Sequence, residues 1–142
     1  TFDGSTVPAD HPLRKLAEGI YDRYAACMEK MDYVGAKNII MELVHAANHY
    51  IEDAAPWTVA KDPERAAELA DIIYTLLESI RICAHLFMPF MPTTSAEVLR
   101  RMSLDEAEIT STDTRSECVW GKLQGGLAVS KGDALFPRLA SK

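Results

Sequence analysis

The sequence predicts an all-α protein, an antiparallel bundle of about four main helices followed by an irregular C-terminal tail. Apolar residues recur at spacings of three and four over the first hundred residues, and no segment sustains the alternation typical of strands. Short connections between the periodic segments favour an antiparallel bundle. A chain of 142 residues, 48% of them hydrophobic, fits a single domain. We place that domain at 1–142, with the bundle at about 10–102 and the tail at about 103–142.

The first two helices each combine a candidate cap with an apolar face. Asp10 is the candidate cap of the first helix, with Pro12 in its opening turn. Its apolar face contains Leu13, Leu16, Ala17, Ile20, Tyr24, Cys27, Met28 and Met31. Asp32 is the candidate cap of the second helix, which should end near Asp53 because Pro56 follows. The inward face of this second helix contains Ala36, Ile39, Ile40, Leu43, Ala47, Tyr50 and Ile51.

A third helix is predicted to start at Asp62 and Pro63, a cap followed by proline at the first helical position. Its apolar face is wide enough to make it the central element of the core. That face contains Ala66, Leu69, Ile72, Ile73, Leu76, Leu77, Ile80, Cys83, Ala84 and Phe87. Pro89 and Pro92 should end the helix.

A shorter fourth helix and a tail complete the chain. The segment from Thr94 to Glu97 has capping-box spacing and predicts the start of the fourth helix. Residues 103–116 are polar and acidic, with about one helical turn expected, and glycines then interrupt any long element. The apolar pairs Val119-Trp120 and Leu135-Phe136 predict that the tail packs back onto other elements.

Composition excludes several classes of function. The net charge is −6, from 15 basic and 21 acidic residues, which disfavours binding that relies on nucleic-acid phosphates. No run approaches the roughly 20 apolar residues of a membrane helix, so no membrane association is expected. The chain starts without methionine or a secretory signal, and we expect it to be part of a longer protein. Three widely separated cysteines, Cys27, Cys83 and Cys118, predict reduced core thiols in a cytoplasmic protein.

No catalytic residue is predicted in this chain. It contains no phosphate loop, no G-x-S-x-G, no H-E-x-x-H and no C-x-x-C motif. His45 and His49 are four residues apart and can share a metal, but the glutamate of the metalloprotease motif is missing between them. We therefore predict no metal site.

A polar stripe on the second helix is the most informative feature. His45, Asn48, His49 and Glu52 follow helical spacing and lead toward Trp57. Pro56 restricts the backbone, so Trp57 can be held on a rigid turn with its ring facing outward, where it can stack on a nucleobase. The alternative is that Trp57 fills the gap between helices.

The segment that contains this stripe resembles a known family. Residues 48–62, NHYIEDAAPWTVAKD, match the N-x-Y-I/V-[DE]-x-x-A-P-W-x-x-A-K pattern of bacterial methionyl-tRNA synthetases. Phe2-Asp3-Gly4, Pro89-Phe90-Met91-Pro92 with Ser95 and Ala96, and Leu135-Phe136-Pro137-Arg138-Leu139 are similar to further landmarks of the family in the same order. The chain resembles the α-helical anticodon-binding domain of these class I enzymes.

The resemblance implies that catalysis belongs to an upstream domain. The family signatures H-I-G-H and K-M-S-K-S and the cysteines of its zinc knuckle do not occur in this sequence. No cofactor is therefore expected in this chain. ATP, magnesium and zinc would belong to the full-length methionine-tRNA ligase. The implied partners are methionine tRNA and the upstream catalytic domain of the same chain.

The resemblance also implies roles for residues around the stripe. Trp57 matches the family tryptophan that stacks on a base of the CAU anticodon. Asn48 takes a hydrogen-bonding role and Lys61 a backbone-phosphate role, although a helix-end hydrogen bond and a solvated side chain are their structural alternatives. His45 and Glu52 lie on the face where some family members carry acidic side chains that repel wrong anticodons. His45 would make an RNA contact pH-dependent.

Several alternatives remain open at this stage. Arg138 either contacts the RNA or pins the tail to the catalytic domain. A helical scaffold domain could use an apolar docking patch made of Trp57, Phe87, Phe90 and Trp120. The chain could also be the equivalent domain of another class I synthetase, although the A-P-W-x-x-A-K segment argues against that assignment.

Overall fold

The computed structural model describes residues 7–126 and 128–137, and this part of the chain is helical without strands. The predicted all-α class is confirmed. A 3-10 turn at Pro63–Arg65 leads into a long helix that starts at Ala66. The helices are α1 (Pro12–Glu29), α2 (Tyr33–Ala54), α3 (Pro56–Val59), α4 (Ala66–Phe87), α5 (Pro92–Arg101), α6 (Glu106–Ile109) and α7 (Thr114–Glu117).

Contacts between helix ends show the antiparallel arrangement. The rings of His11, at the start of α1, and Tyr50, near the end of α2, meet edge to face with centroids 5.0 Å apart. At the other end of the bundle, Tyr33 at the start of α2 meets Phe90, just beyond α4, with centroids 6.5 Å apart. The helix α2 therefore runs in the opposite direction to both α1 and α4, as the short connections predicted.

The core lies between α1, α2 and α4, with α5 and the tail closing it. The predicted inward face of α2 is buried in its first half, whereas Ala47, Tyr50 and Ile51 are half-buried. The fully enclosed residues of α1 and α2 are Leu13, Ala17, Ile20, Tyr24, Ala36, Ile39, Ile40 and Leu43.

The caps of α1 and α5 differ from the predicted ones by one and by three residues. His11 caps α1 in place of Asp10, because its Nδ1 atom accepts a hydrogen bond from the Leu13 amide at 3.2 Å. The helix α5 starts at Pro92, before the predicted Thr94, because proline fits the first helical position and needs no amide partner there. The predicted cap Asp32 is confirmed, since its Oδ1 accepts a hydrogen bond from the Gly35 amide at 2.8 Å.

The buried face of α4 differs from the predicted one. Ile73 and Ile80 are 41% and 42% exposed. The helix is enclosed on most sides over its second half, so polar residues are buried together with apolar ones. These buried polar residues are Thr75, Glu78, Ser79, Arg81 and His85.

A buried ion pair on α4 holds the tail. The Nε and Nη2 atoms of Arg81 donate to the two carboxylate oxygens of Glu78, each at 2.8 Å. The Arg81 guanidinium also donates to the backbone carbonyls of Glu117 and Val119. In turn, Glu78 Oε1 accepts from the backbone amide of Gly121 at 2.7 Å. The pair therefore replaces the water that these buried backbone groups would otherwise need.

The tail contains more helix than predicted. Residues 103–116 were expected to form one turn, but α6 and α7 are two separate turns capped by Asp105 and Asp113. Within the predicted apolar pairs, Trp120 is buried whereas Val119, Leu135 and Phe136 are exposed. The tail therefore packs through Trp120, together with buried Cys118 and Leu123, and through the backbone contacts of the buried ion pair.

Burial perturbs the titratable groups near this contact. The thiols of Cys83 and Cys118 are buried, and loss of hydration raises the pKa of each to about 12. Both cysteines therefore act as small core residues.

No helix in the described part of the chain has the length and apolar character required to cross a bilayer.

His85 should make stability depend on pH. Burial, followed by the charge of Arg81, lowers the pKa of His85 from 6.5 to about 4. Unfolded chains therefore bind a proton at His85 over a pH range in which the folded protein does not. Stability is fully present above pH 6.5 and falls as the pH drops toward about 4.

We expect the loss from this group to reach about 3 kcal/mol. The measurement is urea unfolding at a series of pH values between about 4 and 7, a range that includes both the folded pKa of about 4 and the ordinary value of 6.5. The variant His85→Gln should show a shallower slope than the parent. Parallel slopes for the two proteins would contradict the assignment.

Candidate functional site

The polar stripe predicted on α2 lies on the protein surface. His45, Asn48, His49 and Glu52 are all exposed. Their spacing places them on one side of the helix. Between Met41 and the end of α2, the sequence contains no lysine or arginine. The stripe therefore offers amide, imidazole and carboxylate groups without a fixed positive charge.

His49 pairs with an acidic neighbour. Its Nδ1 atom lies 3.0 Å from Oδ2 of Asp53, one turn along the helix. A hydrogen bond with its own backbone and the charge of Asp53 raise the pKa of His49. This contact, which i,i+4 spacing alone could have predicted, aligns His49 with Asp53 rather than with His45.

The corner between α2 and α3 has an unusual backbone. Ala55 has φ 41° and ψ 61°, in the left-handed region that alanine disfavours by about 1–2 kcal/mol. Its amide donates to the Ile51 carbonyl at 3.1 Å and ends α2. Pro56, which is buried, then starts α3 at once. The chain therefore turns sharply at a single residue.

Trp57 is presented to solvent from α3. The side chain is 58% exposed, whereas Val59 is only 2% exposed. Val59 packs against Ile72 and Leu76 of α4, in a cluster separate from the main core. Val59, and not Trp57, therefore fills the gap between the helices. Trp57 faces outward as predicted, but a one-turn helix carries it where a simple turn was expected.

Lys61 follows α3 closely and is also exposed. Its backbone amide donates to the Thr58 carbonyl at 3.2 Å. Asp62, the predicted cap of the third helix, caps the 3-10 turn before α4, because its Oδ1 accepts from the Glu64 amide at 3.0 Å, whereas α4 itself starts at Ala66. The chain thus places Trp57 and Lys61 on the short connection between the end of α2 and the start of α4.

An apolar groove lies between α2, α4 and α5. Its volume is about 320 Å³, and Asn48 of the stripe is one of its lining residues. Ile51, Ile80 and Phe87 line it as well, together with Phe136 of the tail. The stripe thus adjoins an apolar surface on one side of α2.

The patch required by the scaffold alternative does not form. Trp120 is only 8% exposed, and Phe87 packs with Phe90 at centroids 6.5 Å apart near the end of α4. Trp57 lies at the opposite end of α4, where Val59 contacts the first half of that helix. The four aromatic residues therefore do not share a surface.

Several predicted features lie outside the described residues. These are Arg138, Leu139 and the Phe2-Asp3-Gly4 landmark.

Across residues 7–126 and 128–137, no group of three metal-ligating side chains is close enough to hold an ion.

Comparison with known proteins identifies the domain. Residues 3–142 match the family model described as the anticodon binding domain of methionyl tRNA ligase. The chain belongs to this family. The resemblance of the 48–62 segment is thereby confirmed at the level of the family, and the other class I synthetases are disfavoured. The individual site residues stay predictions.

Relatives of this anticodon-binding domain are parts of longer enzymes. The chain is 33% identical over 142 residues to the methionine–tRNA ligase of Bacillus subtilis, covering 100% of this chain and 21% of that protein. It is 35% identical over 146 residues to the Streptomyces coelicolor enzyme, of which it covers 27%. The chain therefore spans about a fifth to a quarter of the length of these relatives.

Solved structures support the helical fold of the family. Mycobacterium tuberculosis methionyl-tRNA synthetase in its free state superposes with a TM-score of 0.83 at 23% identity, covering 94% of this chain and 26% of that one. The same enzyme bound by methionyl-adenylate gives a TM-score of 0.81 over 91% of this chain and 25% of that one, also at 23% identity.

Two features of the site were not found from the sequence. One is the left-handed backbone of Ala55, and the other is the anchoring contact of Val59. A non-glycine corner has no reliable sequence signal, because its conformation depends on tertiary packing. Val59 could have been found from its helical spacing to Pro56, which places both on the inward side of a single turn.

Proposed function

We propose that this domain reads the CAU anticodon of methionine tRNA as part of a methionyl-tRNA synthetase. The observation that carries the proposal is the 58% exposure of Trp57 at the end of the bundle. An exposed, backbone-anchored indole suits stacking on an unpaired base, and such stacking does not need a basic protein.

Polar residues around Trp57 supply the remaining contacts in this proposal. Asn48 hydrogen-bonds the edge of a base, and Lys61 contacts a backbone phosphate. Glu52 keeps a negative charge against non-cognate anticodons, while His45 introduces an imidazole on the same face. Arg138 contacts either the RNA or the catalytic domain.

The longer protein would charge tRNA with methionine in the cytoplasm. ATP and magnesium would serve its upstream catalytic domain, with zinc in the family's zinc knuckle, and this domain would hold no cofactor. Support for adenylate chemistry comes from the M. tuberculosis enzyme, whose structure contains methionyl-adenylate. In this arrangement the anticodon contact positions the acceptor end of the tRNA at the catalytic domain. A tRNA whose anticodon binds poorly would therefore be charged with methionine more slowly.

The test is a fluorescence titration with RNA stem-loops at low salt. Low ionic strength favours even weak binding to an acidic protein. A CAU stem-loop should quench the exposed Trp57, whereas a matched stem-loop with a scrambled loop should not. Equal quenching by both RNAs, or preference for another anticodon, would overturn the proposal. Absence of binding by a folded chain would overturn it for the isolated domain.

A further inference from the structure

The direction of Trp57 depends on a packing contact two residues further along the chain. We propose that Val59 is a positioning residue. Its burial against α4 holds Ala55 in the left-handed conformation and so determines where Trp57 points. The consequence for RNA binding rests on the proposed function, but the consequence for the motion of Trp57 does not.

The first step concerns the backbone of Ala55. At φ 41° the methyl group of alanine is crowded by the backbone, a conformation that glycine tolerates far better. Ala55 also precedes Pro56, and residues before proline prefer an extended backbone. Released from its surroundings, Ala55 would relax to that extended form and carry α3 away from the bundle.

The second step identifies what opposes this relaxation. Val59 is 2% exposed and contacts Ile72 and Leu76 in the smaller apolar cluster. The Ala55 carbonyl accepts hydrogen bonds from the amides of Thr58 at 2.8 Å and Val59 at 3.3 Å. These bonds make α3 one unit, strained at Ala55 and anchored at Val59. Trp57 lies between the two ends.

The experiment follows the motion of Trp57 by time-resolved fluorescence anisotropy. The sequence has 2 tryptophans, so a Trp120→Phe background leaves Trp57 as the only tryptophan, which excitation at the long-wavelength edge of its absorption separates from the tyrosines. Phenylalanine suits position 120, because the buried Nε1 atom of Trp120 has no hydrogen-bond partner within the described residues. In this background, Val59→Ala should add a fast local depolarisation that the parent lacks.

Val7→Ala is the matched control. Val7 is 1% exposed and belongs to the main core, so the substitution removes the same two methyl groups from an equally buried position. It should leave the anisotropy decay of Trp57 unchanged. An equal decay for Val59→Ala and Val7→Ala would overturn the proposal.

A second substitution tests the coupling to Ala55. Ala55→Gly in the parent should raise the urea midpoint of unfolding, because glycine adopts the left-handed conformation without the crowding of the alanine methyl group. In the Val59→Ala background the same substitution should raise the midpoint by less, because the released corner no longer forces position 55 into that conformation. Equal gains in the two backgrounds would show that strain at Ala55 is not what Val59 opposes.

Binding to the CAU stem-loop provides the functional readout. Val59→Ala should weaken binding by about three- to tenfold, because a smaller fraction of molecules presents Trp57 correctly. Val7→Ala should bind like the parent. If Trp57→Ala also binds like the parent, the proposed function fails while the anisotropy result still decides the role of Val59. If Trp57→Ala weakens binding but Val59→Ala does not mobilise Trp57, only this inference fails.

Discussion

Trp57→Ala should weaken binding of a CAU stem-loop by about 5- to 150-fold, the equivalent of about 1–3 kcal/mol for one stacked base. The indole is exposed, so its removal takes away a binding surface and leaves the core intact. Because the substitution removes the intrinsic probe, the affinity is measured from the anisotropy of a fluorescently labelled RNA. Trp57→Phe keeps an aromatic face and should retain most of the affinity.

In the whole synthetase, the same variant should separate two activities. Charging of methionine tRNA should fall by a similar factor, while ATP-dependent activation of methionine stays near that of the parent. The thermal midpoint of the variant domain should also remain near that of the parent, since Val59 and not Trp57 anchors α3. A parallel loss of activation and charging would identify Trp57 as a folding residue.

Arg81→Met should lower the free energy of unfolding by about 3–5 kcal/mol, the usual cost of leaving one member of a buried ion pair without its partner. The side chains of Arg81 and Glu78 are 1% and 0% exposed, so water cannot replace the lost contact. The carbonyls of Glu117 and Val119 lose their donors at the same time. Urea unfolding followed by the helical circular dichroism signal measures the change.

Arg65→Met is the matched control for this substitution. Arg65 and Glu68 have the same i,i+3 spacing, but their side chains are 44% and 49% exposed. Solvent screens that pair, so its loss should have a far smaller effect. Comparable losses from Arg65→Met and Arg81→Met would contradict the importance of burial.

A double variant separates charge from hydrogen bonding. Arg81→Met combined with Glu78→Leu removes both charges, and should recover part of the stability that Arg81→Met loses. Recovery should be incomplete because the amides of Gly121 and Lys122 lose the carboxylate that accepts their hydrogen bonds. Complete recovery would mean that the tail needs no polar anchor.

The helical layout was predictable because it depends on local periodicity. The apolar spacing of α2, that of α1 as far as Met28, and the cap Asp32 were correctly predicted from neighbouring residues alone, whereas Met31 lies beyond α1 and is 75% exposed. The cap of α1 was misplaced, since histidine and aspartate stand side by side before Pro12 and only the geometry decides which one accepts the bond.

The interior of α4 was less predictable. Glu78 and Arg81 interrupt an apolar run, and sequence reasoning treats such charges as solvated. Their partners lie about forty residues away in the tail, a distance at which no periodic signal operates. Ile73 and Ile80 were placed inward for the same reason, because the periodicity of one helix does not reveal how many neighbours enclose it.

The outward face of the site was predictable, whereas its support was not. The stripe follows from helical spacing, and it is exposed. The residues alone left Trp57 open between an outward ring and one that fills the gap between helices, and the resemblance to the family favoured the outward ring. The left-handed Ala55 and the Val59 anchor depend on contacts with α4, which only the folded chain brings together.

The polar stripe of α2 has a consequence for the rates of the encounter. The second half of α2, which contains the stripe, carries Glu52 and Asp53 and has no lysine or arginine. The whole chain has a net charge of −6. Long-range attraction therefore does not accelerate the approach of a polyanion to this surface. Under the proposed function, correct and incorrect tRNAs arrive at comparable rates and differ in how long they stay, so selectivity is a property of the dissociation step.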